Sequence, residues 1–209
     1  PYGKSAKVNF KQAKKLKFKF IEIGKKFGLK LKVVLTDGSE PIGNGIGPVL
    51  EMKDVLKILK RENPPADLEE KSLFLAGKLL EISGEAEESK GYEIAKGILD
   101  SGQAFKKFQE IIKAQQGKIN EMEKPKFYHD INAKKDIKIR HIDNILIAKL
   151  ARAAGCPEDK AAGVYLYKKK NQDAKKSERI LTIYATSKEK LKYAKKVFEK
   201  NKRKMIEFY

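Results

Sequence analysis

Cysteine is all but absent from this chain of 209 residues, and the one that occurs, Cys156, has no partner for an internal disulfide. Histidine is nearly as scarce. With only His129 and His141 beside that thiol, no zinc-ligand constellation can be assembled and no metal site is expected. Long apolar runs are missing too. No stretch of eighteen apolar residues occurs, and the opening PYGKSAKVNF lacks the apolar core of a secretory signal. Neither membrane insertion nor secretion is expected, and the chain reads as cytoplasmic.

Acidic residues are in deficit: 28 Asp and Glu stand against 47 Lys and Arg, a formal charge of +19, most of it carried by residues 101–209. A basic excess of this size raises the question of nucleic acid, because clustered lysines displace counterions from phosphates. The lysines, however, fall on the polar sides of amphipathic segments, as with Lys14, Lys15, Lys25 and Lys26, or Lys188, Lys190, Lys195 and Lys196. Net charge bears on solubility and non-specific attraction rather than on fold, so a solvated lysine surface is the favoured reading and nucleic acid is not expected as a partner. A basic module that contacts RNA or another polyanion through residues 118–204 is the competing one.

What the chain does contain is periodic. Ala13, Leu16, Phe20, Ile23 and Phe27 recur at spacings of three and four, which marks a helix closed by Gly28. Residues 29–35 then alternate lysine with apolar side chains and end on β-branched Val33 and Val34, the pattern of a strand. Helix followed at once by strand implies a βαβ unit whose first strand ends just before residue 1. Beyond the glycine-rich TDGSEPIGNGIGPVLE, helices are expected up to the Pro64-Pro65 break, over 67–82, 91–100 and 101–115, with Asp67 and Ser101 as caps and Gly84 and Gly117 as stops. The polar, weakly periodic stretch 118–136 reads as a linker. After it come short strands at 137–139, 163–167, 180–186 and 205–209 and helices at 143–154 and 188–202. The expected class is α/β: a partial α/β lobe lacking its N-terminal strands over 1–117, then a small α+β domain over 137–209.

Several of these segments match one known pattern. PYGKSAKV at 1–8 is similar to a strand-end loop of the form Pro-x-Gly-x-Gly-Ala-Lys-Val, with Ser5 in place of its second glycine. The segment 36–51 carries a Pro-Ile-Gly, an Ile-Gly and a closing Leu-Glu. KSLFLAGKLLEISG and ILDSGQAFKKFQEIIKAQQGKI match a helical pair ending in Ala-Gln-x-Gly, and the His141-Ile142-Asp143-Asn144 run opens a matching C-terminal stretch. Together they resemble the C-terminal half of the thymidine/AMP phosphorylase family of nucleoside and nucleotide phosphorylases, nearest to the archaeal AMP phosphorylases.

The resemblance implies a pentosyltransferase reaction in which phosphate attacks the anomeric carbon and the base leaves. Inorganic phosphate is then co-substrate, a nucleoside or nucleoside monophosphate the other substrate, and no cofactor is needed. In the family, phosphate is held by a Lys-x-Ser and glycine-rich segment, and the base by an Arg and a Ser-x-x-x-Lys helix. Those groups would precede residue 1, so this chain is expected to be part of a split, truncated or cleaved enzyme that needs an N-terminal half and forms a homo-oligomer when whole. No catalytic residue is assigned. The one substrate-binding residue carried over is Lys7, on the loop whose lysine contacts nucleotide in the AMP phosphorylase pattern; an ammonium at a strand end suits an anionic ligand.

The remaining candidates read as structural. Gly43, Gly45 and Gly47 fit neither a P-loop nor a dinucleotide fingerprint and are expected to permit close backbone packing. Asp37 and Glu51 suit turn or cap roles. His129 and His141 show no nucleophile or carboxylate beside them in sequence and receive no catalytic role. Tyr165, Tyr167 and Tyr184 fall on expected strands, where half-buried packing is the default over base stacking.

Overall fold

The structure is a computed structural model that describes residues 1–3, 8–119 and 122–209. Its contacts group into two units, Pro1–Gly38 with Leu56–Ile119, and Ser39–Val55 with Asn120–Tyr209.

The first unit is helical. α1 (Phe10–Lys26) starts at a capping box in which the Asn9 side chain accepts from Gln12 N, 3.0 Å, while Gln12 Oε1 accepts from Asn9 N, also 3.0 Å. It ends, as its glycine foretold, with Gly28 at φ +64°. Residues 29–36 that follow are not a strand, contrary to expectation: among the described residues no strand pairs with them. The alternating pattern stretches the backbone, but a strand exists only through a neighbour's ladder. One piece of the expected βαβ geometry is present, a parallel bridge between Tyr2 and Asp37, with Tyr2 N donating to Thr36 O at 2.9 Å and Gly38 N to Tyr2 O at 2.8 Å.

The C-terminal end of α2 (Pro48–Lys60) and the helices α3 (Ala66–Ser83), α4 (Gly91–Asp100) and α5 (Gln103–Ala114) make up the rest of this unit around Ile58, Leu73, Ala95 and Leu99. Two cap assignments shift. Pro65, not Asp67, precedes α3, and Asp67 sits inside the first turn accepting from Leu68 N. Gly102 precedes α5, while Ser101 closes α4, its hydroxyl donating to Ile98 O. In both cases the side chain satisfies a neighbouring backbone group by a different local bond from the one its residue type suggested. α3 and α4 touch backbone to backbone through Gly77 and Gly91: a Cβ on Gly77 would lie 2.6 Å from Tyr92 N, and one on Gly91 would lie 2.0 Å from Gly77 O.

The second unit is α+β. Its main sheet runs in the order β1 (Gly45–Ile46), β4 (Gly163–Leu166), β6 (Arg179–Ala185), β2 (Phe127–Asn132), with every pair antiparallel. A smaller sheet runs β5 (Asp173–Ala174), β3 (Ile137–Ile142), β7 (Ile206–Phe208). Helices α6 (Asn144–Ala154) and α7 (Lys188–Met205) share one core with the strands, in which Ile147, Leu150, Ala194 and Met205 are buried with Ile139, Val164, Leu166, Leu181 and Ile183. Asp143 caps α6, accepting from Ile145 N and Leu146 N at 2.9 and 3.0 Å.

Two boundaries are corrected here. The stretch 118–136, read as a linker, contains β2, whose six residues pair with β6 from Phe127↔Ala185 to Asn132↔Arg179. Polar His129 and Asp130 in its middle had hidden the alternation. Residues 39–55, placed with the first lobe, belong to the second unit, because β1 pairs with β4.

The close α3–α4 approach makes a direct test. Gly77→Ala should lower stability by roughly 1–3 kcal/mol through backbone overpacking. Gly97→Ala, on the same pair of helices but facing open space, should raise it by up to about 1 kcal/mol from helix propensity. Urea unfolding followed by circular dichroism measures both, and equal effects would refute the packing account. A second test concerns the tie between segment 29–36 and α3. Lys32 Nζ lies 2.7 Å from Glu81 Oε2, and hydrogen bonds from Lys32 and then Lys78 pull the Glu81 carboxyl down from 4.5 to about 2. Because the folded value is the lower one, the tie is present above pH about 4.5 and is lost as pH falls through about 2. The Glu81 carboxyl carbon, followed by NMR, should titrate near the lower value, and a midpoint at the ordinary glutamate value would show the tie absent.

Candidate functional site

The glycine-rich segment that leads into α2 is held from within the second unit. Asp54, buried at 1% exposure, turns Oδ2 back onto the loop and accepts from Asn44 N at 2.6 Å and Gly45 N at 2.7 Å. Its Oδ1 is buried and has no partner among the described residues. Held this way, the loop extends into β1, and Leu166 N donates to Asn44 O at 2.8 Å to continue the pairing with β4. Glycine is required at two places: a Cβ on Gly45 would meet Leu50 C at 2.4 Å, and Gly47, at φ +134°, would bring one to 2.4 Å from Ala162 O. The structural reading of these glycines therefore stands. Glu51 is a cap as expected, its Oε1 accepting from Gly47 N at 3.0 Å.

Upstream of the glycines, Glu40 reaches β3. Its Oε1 lies 2.5 Å from His141 Nδ1, and its Oε2 accepts from Ile142 N at 3.0 Å. Lys170 Nζ is 3.6 Å from the same carboxylate. His141 thus has the carboxylate partner that its sequence neighbourhood did not show, because the pair is 101 residues apart in the chain. A carboxylate that orients an imidazole is half of a proton-transfer arrangement. Among the described residues no nucleophile completes it: the other contacts to Glu40 are a backbone amide and an ammonium, so the cluster pins the 39–43 loop to β3.

The open face of the main sheet gathers the tyrosines. Tyr165 and Tyr167 meet edge to face with centroids 5.0 Å apart, and the Arg179 guanidinium lies 4.9 Å over the Tyr167 ring while donating to its hydroxyl at 3.0 Å. Beneath them Thr182, 1% exposed, donates to Asp130 at 2.6 Å. Burial, then a hydrogen bond with Tyr167, pushes the Tyr184 hydroxyl up to about 12, which keeps it a neutral hydrogen-bonding group. Arg179 also faces Asp130 at 3.3 Å, so charges on this face compensate one another.

The other candidates are quiet. Burial first, and Lys195 second, lower the His129 value, which disfavours the charged imidazolium on β2. Burial raises the Cys156 thiol, the opposite of what an activated nucleophile needs. Asp37 is bridged to Tyr2. Lys7 lies outside the described residues. Among the described residues no group of His, Cys, Asp or Glu is arranged to hold a metal ion, and no helix is long and apolar enough to cross a membrane.

Against known proteins, residues 138–203 match the family described as the pyrimidine nucleoside phosphorylase C-terminal domain. Over 196 residues the chain is 43% identical to a Legionella pneumophila (strain Corby) protein named "Putative thymidine phosphorylase", which takes in 93% of this chain and 38% of that one. It is likewise 43% identical to a Methanococcus aeolicus protein named AMP phosphorylase, over 91% of this chain and 39% of that protein. A Methanosarcina mazei protein of the same name is 40% identical, again over 91% and 39%. The chain therefore spans about two fifths of the length of the relatives it matches, and the matched part is C-terminal.

The grip of Asp54 on the glycine loop yields a prediction. Asp54→Ala leaves the buried Gly45 N–H and its neighbour unpaired, so stability should fall by on the order of 2 kcal/mol or more. Glu51→Ala, which removes one half-exposed cap bond, should cost about 1 kcal/mol. Denaturant midpoints of the two variants decide the order, and a smaller loss for Asp54→Ala than for Glu51→Ala would show that the carboxylate does not hold the loop.

Proposed function

We propose, from the premise that this chain belongs with the C-terminal part of the thymidine and AMP phosphorylase family, that it works in phosphate-dependent cleavage of an N-glycosidic bond. The products are free base and a ribose 1-phosphate, or ribose 1,5-bisphosphate when AMP is the substrate. The observation that carries this reading is identity of 40 to 43% sustained over 196 residues, which runs through both units rather than through one motif. In it, inorganic phosphate is the co-substrate, no cofactor takes part, the enzyme is cytoplasmic, and the working form is a homo-oligomer.

The two units described above act as scaffold in this reaction. Neither the Glu40–His141 pair nor the tyrosine face offers a phosphate cradle, and the groups that hold phosphate and base in the family come from an N-terminal portion with which this chain works. Lys7 is its own contribution to the site. Its place in the Gly-Ala-Lys-Val pattern is what singles it out, and an ammonium suits the anionic part of a nucleotide. A cation in that role makes AMP a more fitting substrate than an uncharged nucleoside.

The test mixes purified chain with phosphate and a panel of nucleosides and nucleoside monophosphates, with and without the N-terminal portion of the Methanococcus aeolicus relative. The chain alone should release no base, and the mixture should release it. In the active mixture, Lys7→Ala should weaken AMP by about ten- to a hundredfold, the equivalent of a lost charge-assisted hydrogen bond of about 1.5–3 kcal/mol. Adenosine should be affected less if the lysine faces the 5′-phosphate. Base release by the chain alone would remove the shared-site account, and unchanged kinetics with both substrates would remove Lys7 from the site.

A further inference from the structure

Helix α7 carries nine basic and two acidic residues in eighteen. Its buried side, Ala194, Val197, Phe198 and Met205, belongs to the core of the second unit, and the lysines fall to solvent. Helix propensity and solvation account for lysine there, but not for its order. Lys188, Lys192, Lys196, Lys200 and Lys204 follow one another at intervals of four, so they form one ridge running obliquely across the exposed side of the helix. All five are exposed, and none makes an ion pair among the described residues.

Like charges four residues apart weaken a helix, and this ridge sets such pairs in series along the whole of α7. Other helices alternate the signs, as Lys96 with Asp100 on α4 and Lys107 with Glu110 on α5. The longest comparable row on another helix is Lys11, Lys15 and Lys19 on α1. Neither acid of α7 relieves the ridge: Glu199 is 2.5 Å from Lys202, and the Glu189 carboxylate is hydrogen-bonded to Ser187 at the helix start. A pattern that opposes its own helix and is not compensated within the chain points to a ligand.

The ridge also has a regular pitch. Four residues of helix rise about 6 Å, so the ammoniums are spread over roughly 24 Å in even steps, the complement of an evenly charged phosphate strand. Tyr193, 60% exposed, stands beside them, three residues before Lys196 and seven before Lys200. An exposed ring among ammoniums is where a base of a single strand stacks. An anionic bilayer is a poorer complement, because the apolar side that a helix would insert is buried in the core. An acidic polypeptide offers neither the even spacing nor the flat π-face. We propose that the outer side of α7 binds single-stranded nucleic acid without regard to sequence, with phosphates on the Lys188–Lys204 ridge and a base on Tyr193. The composition of the chain gave no reason to expect such a partner, and the surface is independent of the phosphorolysis reading.

The experiment titrates a short labelled oligouridine with the 209-residue chain over a range of salt, followed by fluorescence anisotropy. Five phosphate contacts give a slope of log K against log salt of about −3.5 for a single strand. Combining Lys192→Gln, Lys196→Gln and Lys200→Gln should bring it to about −1.5 and weaken binding about a hundredfold near 0.1 M salt. The same charge removed from α1, by Lys11→Gln, Lys15→Gln and Lys19→Gln, should leave the slope unchanged. Tyr193→Ala should weaken binding about five- to a hundredfold without altering the slope, and Tyr193→Phe should bind like the parent. All variants should keep the parent's helical circular dichroism, and the α7 triple variant should unfold no earlier than the parent because it has lost like-charge pairs. Absence of binding, or equal losses in the two triple variants, would overturn the proposal. So would a duplex binding as tightly as the single strand with Tyr193→Ala silent. Polyglutamate or phosphatidylglycerol vesicles competing as well as the oligouridine at equal charge would make the occupant an acidic protein or a membrane, and would overturn it too.

Discussion

Every backbone amide taken out of water needs a partner, and this requirement organises the second unit down to its smallest element. β4 and β6 are paired on both sides, and the second partner of β4 is a strand of only two residues, Gly45–Ile46. So short a strand does not hold itself. It is held because Asp54 takes the amides of Asn44 and Gly45 on one side while Tyr165 and Val164 pair on the other. The glycines follow from the same requirement, since only a residue without Cβ lets the chain approach Leu50 and the Ala162 carbonyl closely enough. The buried carboxylate, the glycine spacing and the position of α2 are one solution to one problem.

Much of this architecture was legible because local chemistry and fold agree. Gly84 at φ +85°, Asp143 with its two capped amides and the apolar spacing of α7 each mark an element where the structure has one. Three features were not legible, for distinct reasons. β2 carries His129 and Asp130 where alternation would put a simpler pattern, and its pairing with β6 decides what its own residues leave open. The Glu40–His141 contact joins residues 101 apart, and no spacing rule reaches that far. Residues 29–36 show the opposite failure. Their pattern is that of a strand, but pattern specifies extension and amphipathicity, whereas a strand also needs a neighbour.

The candidate site divides in the same way. Asp54, Glu51 and the glycines could be assigned structural roles from residue type, and the geometry gives each a partner that accounts for it. Function was never visible in those residues. It entered through the similarity of long segments to one family, and the comparisons find that similarity across both units. Lys7 shows why. One lysine among so many has no chemical distinction of its own, and only its place in a shared pattern singles it out.

Helix construction alone accounts for much of the lysine. On α7 the apolar positions Ala194, Val197 and Phe198 face the core, and the outward positions are filled by Lys192, Lys195, Lys196 and Lys200. Others are neutralised along their own helices, as Lys202 is by Glu199, Lys107 by Glu110 and Lys96 by Asp100. Lysine is a good helix former whose stem covers apolar surface while its ammonium stays in water. Amphipathic helices built with it acquire positive charge as a by-product of burying one side. On the tyrosine face Arg179 is likewise committed within the sheet, to Tyr167 and Asp130.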